Sequence, residues 1–238
     1  MKRTTHSHSR GGFTLMETVI AIGVLAVLLT AFLAVFTPAA QGIRKAISAE
    51  DADRLAFALE RELVTVGDAD GDYATGFDKA FEWIADADED PLLIYQFRAD
   101  PSNPEQPVVA IDGVAGEDFI VVPVVRRASN IAAAADELKA LEGRIFAVLI
   151  DQLVFDGGEL VARDLPGSGQ LREPGNADGT HDSAATYPEA YIAFSASFYR
   201  VPNSSVGYIQ GDKLKEKLDE WKAGSASPIF SRNLAVRR

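Results

Sequence analysis

Val19 to Phe36 is a run of eighteen residues without a charged side chain, and Gly23 and Thr30 are its only soft or polar points. At about 1.5 Å per residue such a helix spans roughly 27 Å, and starting a few residues earlier it crosses a hydrocarbon core of about 30 Å. Side chains of this kind must meet lipid or other apolar helices. The apolar core of a secretory signal is shorter, about 7 to 15 residues, and ends in a small-residue cleavage site. Thr37-Pro38-Ala39-Ala40 is a poor version of that site. One carboxylate, Glu17, stands at the mouth of the helix. Insertion scales put an acid at roughly +2.5 to +3.5 kcal/mol near a helix centre and less toward the interface, which makes Glu17 a functional candidate.

Ahead of the helix lies a short leader with Lys2, Arg3 and Arg10 and no acid, ending in Gly11-Gly12. Gly12-Phe13-Thr14-Leu15-Met16-Glu17 followed at once by an unbroken apolar helix resembles the processing and methylation signature of type IV prepilins and type II secretion pseudopilins. The resemblance implies cleavage after Gly12 by a prepilin peptidase on the cytoplasmic side, methylation of the new amino terminus at Phe13, and retention of the helix. It also implies that Glu17 neutralises the Phe13 amine of a neighbouring subunit as a filament assembles out of the inner membrane. Two charges that each lack solvation in a low-dielectric setting remove two penalties by pairing, and the pairing fixes axial register. Pro38 cannot donate a backbone hydrogen bond, and in this family a proline or glycine here marks a weak point where the helix kinks or unwinds. The competing reading is an ordinary signal anchor, or a secretory signal, on an extracytoplasmic binding domain; the position of cleavage separates the two.

Composition agrees with one anchored domain. Three of the 23 Lys and Arg residues lie in the leader, so a chain starting at Phe13 would have 226 residues and a net charge of −15, against −12 for the whole sequence. A protein that neutralises phosphates needs clustered Lys and Arg, whereas here the basic runs are the leader, Arg126-Arg127 and Arg237-Arg238, so nucleic acid is not an expected partner. The basic leader sets topology instead: positive charge stays cytoplasmic, and the bulk of the chain is expected in the periplasm or an extracytoplasmic filament. Cysteine is absent. A core, a metal or filament neighbours must therefore hold the fold, and thiol nucleophiles and thiolate zinc sites drop out. His181 is the one histidine beyond the leader, and its polar, glycine-containing surroundings, Asn176 to Asp182, read as a solvated loop. No phosphate loop, nucleophile with a base or zinc ligand set is present, so the chain is not expected to be an enzyme.

Four segments follow: a leader at 1–12, a membrane or filament-core helix at 13–37, its amphipathic continuation at 38–67, and an extracytoplasmic domain at 68–238. Gln41 to Val66 reads as the continuation, stopped by Gly67, with Ile43 and Ile47 on one side and Leu55, Leu59, Leu63 and Val66 on another. The first pair is expected to meet neighbouring helices in a filament and the second group the protein's own sheet. Residues 67–90 are acidic. Asp68-Ala69-Asp70-Gly71-Asp72 resembles the opening of a calcium loop, but Lys79 stands where an EF-hand has its bidentate glutamate, so the alternatives are a calcium site of another kind at Asp68, Asp70 and Asp72, or a solvated turn with acids at a helix start.

Phe77, Phe81 and Ile84 predict a short helix with Trp83 at its flank; Leu92–Phe97, Val108–Ile111 and Phe119–Val125 predict strands, the last at an edge because of Pro123. Asn130 is expected to cap a helix through Leu141, and Asp156-Gly157-Gly158 to turn a hairpin between Arg144–Phe155 and Leu160–Arg163. Leu165–Pro188 reads as a long irregular, mobile loop, Tyr191–Tyr199 as the clearest strand, Gly211–Ala223 as a helix, and the residues after Gly224 as a tail. The expected fold is α+β, a long helix on an antiparallel sheet with short extra helices. Arg54-Leu55-Ala56-Phe57-Ala58-Leu59-Glu60-Arg61-Glu62-Leu63 is similar to the amphipathic helix of J-type minor pseudopilins, and Tyr187-Pro188-Glu189-Ala190-Tyr191 resembles their late strand entry.

Overall fold

The computed structural model describes residues 14–66, 73–110, 112–167 and 169–238 and divides into two units, one up to Ile47 and one comprising Ser48–Arg238. The fold is α+β. The first helix, α1 (Leu15–Val64), has an unbroken helical backbone through position 38. In the first unit its Leu15–Ala34 stretch, of mean hydropathy 2.3, is wholly exposed. The side chains of Ile43 and Ile47 lie outside those described, so their expected outward packing is untested.

In the second unit Leu55, Leu59 and Leu63 of α1 are buried against the sheet, as the periodicity predicts, and Ala56 is buried with them. Val66 is half exposed because the helix stops at Val64, two residues short of it. Helix α2 (Gly76–Ala85) begins at Thr75, whose hydroxyl accepts the Asp78 N–H at 3.2 Å. Phe77, Phe81 and Ile84 are buried, and Trp83 is too, rather than lying at the flank. A Cβ on Gly76 would stand 2.5 Å from the Val64 carbonyl oxygen, so only glycine lets α2 start this close to the end of α1.

The sheet is antiparallel with seven strands. Its centre is β1 (Leu92–Asp100), β4 (Leu141–Asp156) and β8 (Tyr191–Arg200); among the described residues β3 (Ile120–Arg127) pairs only with β1, and β9 (Phe230–Arg237) only with β8. Pro123 therefore does sit on an edge strand. β5 (Glu159–Arg163) pairs with β4 across Gly157 and Gly158, whose φ values of 61° and 93° suit the tight two-residue turn. Ile192, Phe194, Ala196 and Phe198 of β8 are completely buried under α1 and α2. The other face is covered too. There α3 (Ala135–Lys139), α4 (Val206–Ile209) and α5 (Asp212–Lys222) pack, with Leu214, Leu218 and Trp221 of α5 buried and the Tyr199 and Trp221 rings stacked at 4.8 Å. Burial on both faces explains why β1 opens as an unalternating apolar run.

Several expectations change. The helix predicted from Asn130 to Leu141 is a 3₁₀ turn (Ala128–Asn130) followed by further i→i−3 bonds and the five-residue α3, capped by Ala134 without a side-chain bond. Three-residue spacing brings both Ile131 and Ala134 onto the sheet, which an α-helical repeat of alanines does not do as well. The strand expected at Val108–Ile111 is instead β2 (Asn103–Pro107), because the Asp100 carboxylate accepts Ser102 N–H at 2.7 Å and its hydroxyl at 2.6 Å, turning the chain back at once. Leu165–Pro188 is not an irregular loop. It holds a second, two-stranded sheet, β6 (Leu171–Glu173) and β7 (Asn176–His181), and Leu171 and Tyr187 are core residues. Gln152, fully buried, fixes it: its carbonyl accepts Arg172 N–H at 2.7 Å, and its amide donates to Arg172 O at 3.0 Å and to the Tyr187 hydroxyl at 3.3 Å. The expected tail is β9, a full edge strand.

Candidate functional site

Thr14 is the first described residue, and its chemistry sets the start of α1. Its hydroxyl accepts the Glu17 N–H at 3.2 Å, and its carbonyl accepts the Thr18 N–H at 3.2 Å and hydroxyl at 3.3 Å. Thr14-Leu15-Met16-Glu17 thus has the Thr-x-x-Glu spacing of a capping box, a signal legible in the sequence and missed there. A glutamate in the first turn also faces the positive end of the helix dipole. Farther along, Thr30 satisfies its hydroxyl on the Ala26 carbonyl at 2.8 Å, which removes from competition the one polar side chain between Val19 and Ala34.

Glu17 itself is exposed, and among the described residues no cation pairs with it. Around and beyond it Leu15, Met16, Val19, Ile20, Ile22 and Leu25 are all more than half exposed. An apolar surface of this extent on one helix marks a membrane or protein contact, and a single candidate span is what its length and hydropathy support. Gly12 and Phe13 lie outside the described residues. Pro38 lies within the helical backbone, and its side-chain surroundings are not among those described.

Asp68, Asp70 and Asp72 also fall outside the described residues, so the structure carries no account of calcium there. Among the described residues no group of three or more His, Asp or Glu has the geometry to hold a metal ion. The rest of the acidic segment is less solvated than expected. Arg127, at the end of β3, donates through Nε to Asp90 at 2.7 Å, through Nη2 to Asp86 at 3.0 Å and through Nη1 to Glu82 at 3.1 Å. Asp90 also accepts the Ser129 N–H at 2.8 Å. Lys79, buried between α1 and α2, bonds Glu62 at 2.6 Å and the Thr65 carbonyl at 3.2 Å, and its ammonium lies 4.4 Å from the Trp83 ring centre. These are structural ion pairs holding α1, α2 and the sheet together.

His181 does not lie in a solvated loop. It ends β7, paired with Leu171, with its ring edge-on to Tyr187 at 5.8 Å and its Nε2 buried without a hydrogen-bond partner among the described residues. No nucleophile bonds to it among the described residues. On the other face a cleft of about 310 Å³ is lined by Asp88, Asp151, Asp164 and Lys222 beside Tyr199 and Trp221, and Lys222 pairs with Asp88 at 3.0 Å.

Burial, with the nearby Asp164 and Asp88 charges, raises the Asp151 pKa above the usual carboxylate range, against the opposing pull of Lys222. The folded state therefore prefers Asp151 protonated: its stabilising contribution is complete below the unfolded pKa of about 3.9 and is lost as pH rises through the higher folded value. Asp151→Asn is accordingly expected to raise Tm at pH 7 by about 1–2 °C, solvent screening keeping the effect small, and to make no difference near pH 3. Thermal melts of both proteins across pH check this; a lower Tm for the variant at pH 7 contradicts it.

No family model, no curated protein and no solved structure matches this chain.

Proposed function

We propose that this protein is a structural subunit, a minor pilin or pseudopilin, of a type IV pilus-like or type II secretion filament. The observation that carries the reading is an exposed, membrane-length helix with one carboxylate in its first turn that pairs with no cation among the described residues. A prepilin peptidase cleaves after Gly12 and methylates Phe13. The helix then holds the protein in the inner membrane, with the amino terminus cytoplasmic and the Ser48–Arg238 unit on the other side. On assembly Glu17 meets the Phe13 amine of the next subunit, and the exposed apolar side chains exchange lipid for neighbouring helices. Pro38 provides the point at which the helix gives during that transfer.

Catalysis has no part in this reading. Among the described residues His181 faces a tyrosine ring, Asp86 and Asp90 pair with Arg127, Glu62 with Lys79 and Asp88 with Lys222. Co-expression with and without a prepilin peptidase tests the proposal. A leader lost after Gly12 only when the peptidase is present is the expected result. Identical processing in both hosts would leave an ordinary anchor on a binding domain.

A further inference from the structure

Among the described residues four strands of the sheet, β2, β3, β5 and β9, have one partner each, and the two eight-residue ones, β3 and β9, are built differently. At one edge, β3 pairs with β1 through Leu92↔Arg127 to Ala99↔Ile120. Arg98 donates its N–H to Ala140 O at 2.9 Å and accepts Val108 N–H at 2.8 Å, so both of its backbone groups point away from β3. By the alternation of an antiparallel ladder, Val121, opposite Arg98, and then Pro123 and Val125 turn their backbone groups to the open side. Pro123 has no N–H to offer there, and a proline in that place blunts an edge against another strand.

The other edge is β9, which runs in register with β8 from Tyr191↔Arg237 to Phe198↔Phe230. No strand among the described residues pairs with its outer side. Val201 donates its N–H to Ile145 O at 3.0 Å, so odd-numbered residues of β8 bond toward β4 and even-numbered ones toward β9. Arg238 N–H, bonded to Ala190 O at 2.7 Å, keeps the same phase. The hydroxyls of Ser197 and Ser231 meet at 2.9 Å, as side chains of a closely spaced, non-hydrogen-bonded pair do. Arg232, Leu234 and Val236 therefore bond inward, while the N–H and C=O groups of Ser231, Asn233, Ala235 and Arg237 point out of the sheet. The strand has no proline, no lysine and no break in register, and at about 3.4 Å per residue its eight residues extend about 27 Å.

Charge selects the kind of strand that fits. β9 and the residue after it hold Arg232, Arg237 and Arg238 and no acid, in a chain of net charge −12. Arg232 lies over the Phe57 ring at 4.7 Å and Arg238 over Phe77 at 4.7 Å, while Arg237 is exposed at the edge. We propose that the outer edge of β9 accepts an extended, acidic segment of a partner protein as an added strand. Four outward N–H groups and four carbonyls supply the main-chain bonds, and Arg237 pairs with a partner carboxylate. A second copy of β9 is a poor occupant, since it brings like charges together along the seam. The inference is independent of how the amino terminus is processed.

The test is amide hydrogen exchange on the full chain in detergent micelles, with acetyl-Glu-Val-Glu-Val-Glu-Val-amide as probe and its Lys-Val counterpart as control. Without peptide, the amides of 231, 233, 235 and 237 exchange fast and those of 232, 234 and 236 slowly. The acidic peptide is expected to slow the first set by about 10-fold or more, with the Lys-Val peptide far weaker. Ala235→Pro removes an outward donor and no inward bond, so it keeps the slow set and loses the peptide effect. Arg237→Glu reverses the preference between peptides, which decides the matter even if the proline variant unfolds. No protection by the acidic peptide, equal protection by both peptides, or protection that grows with protein concentration alone would each overturn the proposal.

Discussion

Glu17→Gln is expected to leave membrane insertion and leader removal unchanged and to abolish incorporation into filaments or the secretion complex. The substitution separates the two roles this residue can have. A glutamine serves as well as a glutamate at the third position after a capping threonine, so the Thr14 cap survives and α1 starts at the same place. What is lost is charge. Removing one partner of a pair held in a low-dielectric setting costs about 3–5 kcal/mol, because the other charge is left without compensation. That corresponds to at least about 100-fold in subunit affinity. Glu17→Ala is expected to fail in the same way, with some additional fraying of the first turn. The readout is the fraction of processed protein recovered in sheared filaments or cross-linked to its neighbours. Wild-type incorporation of Glu17→Gln would reduce Glu17 to a helix cap.

Arg127→Ala is expected to destabilise the Ser48–Arg238 unit by about 2–4 kcal/mol, since it leaves Asp86 and Asp90 close together without their counter-charge and strips the sheet's contact with the end of α2. For a unit of this size the Tm falls by about 5–12 °C. Glu82, half exposed, contributes the least of the three. Arg127→Lys keeps a charge but loses the fork that reaches three carboxylates, and an intermediate Tm is expected. Thermal melts at pH 7 decide it. A change below about 2 °C for the alanine variant would mean that these pairs behave as ordinary surface ion pairs.

What the sequence disclosed and what it hid divide along the range of the interactions. β8 was legible because its alternation is strict, α5 because Leu214, Leu218 and Trp221 recur at helical spacing, and the β4–β5 turn because Gly157 and Gly158 can adopt positive φ. β9 carried the same alternation, Leu234 and Val236 inward against Ser231, Asn233 and Ala235 outward, but Arg232 interrupts it by resting on Phe57. The β6–β7 pair could not be foreseen, since its position depends on Gln152, twenty residues before Arg172. The alanine run after Asn130 looked helical by propensity, and packing on the sheet converted it to i→i−3 turns.

The candidate site divides in the same way. Glu17 and the apolar helix are local features, and so is the Thr14 cap. The neutralisation of Glu82, Asp86 and Asp90 by Arg127 joins residues 37 to 45 positions apart, and an acidic stretch read by itself looks merely solvated.

The most direct measurement is intact-mass and N-terminal peptide analysis of the protein purified from its native membrane. A chain beginning at N-methylated Phe13 is the predicted result, and it would make filament assembly the working function. A start near Ala40, or an uncut Met1, would contradict the central claim and place the protein among secreted or simply anchored ones.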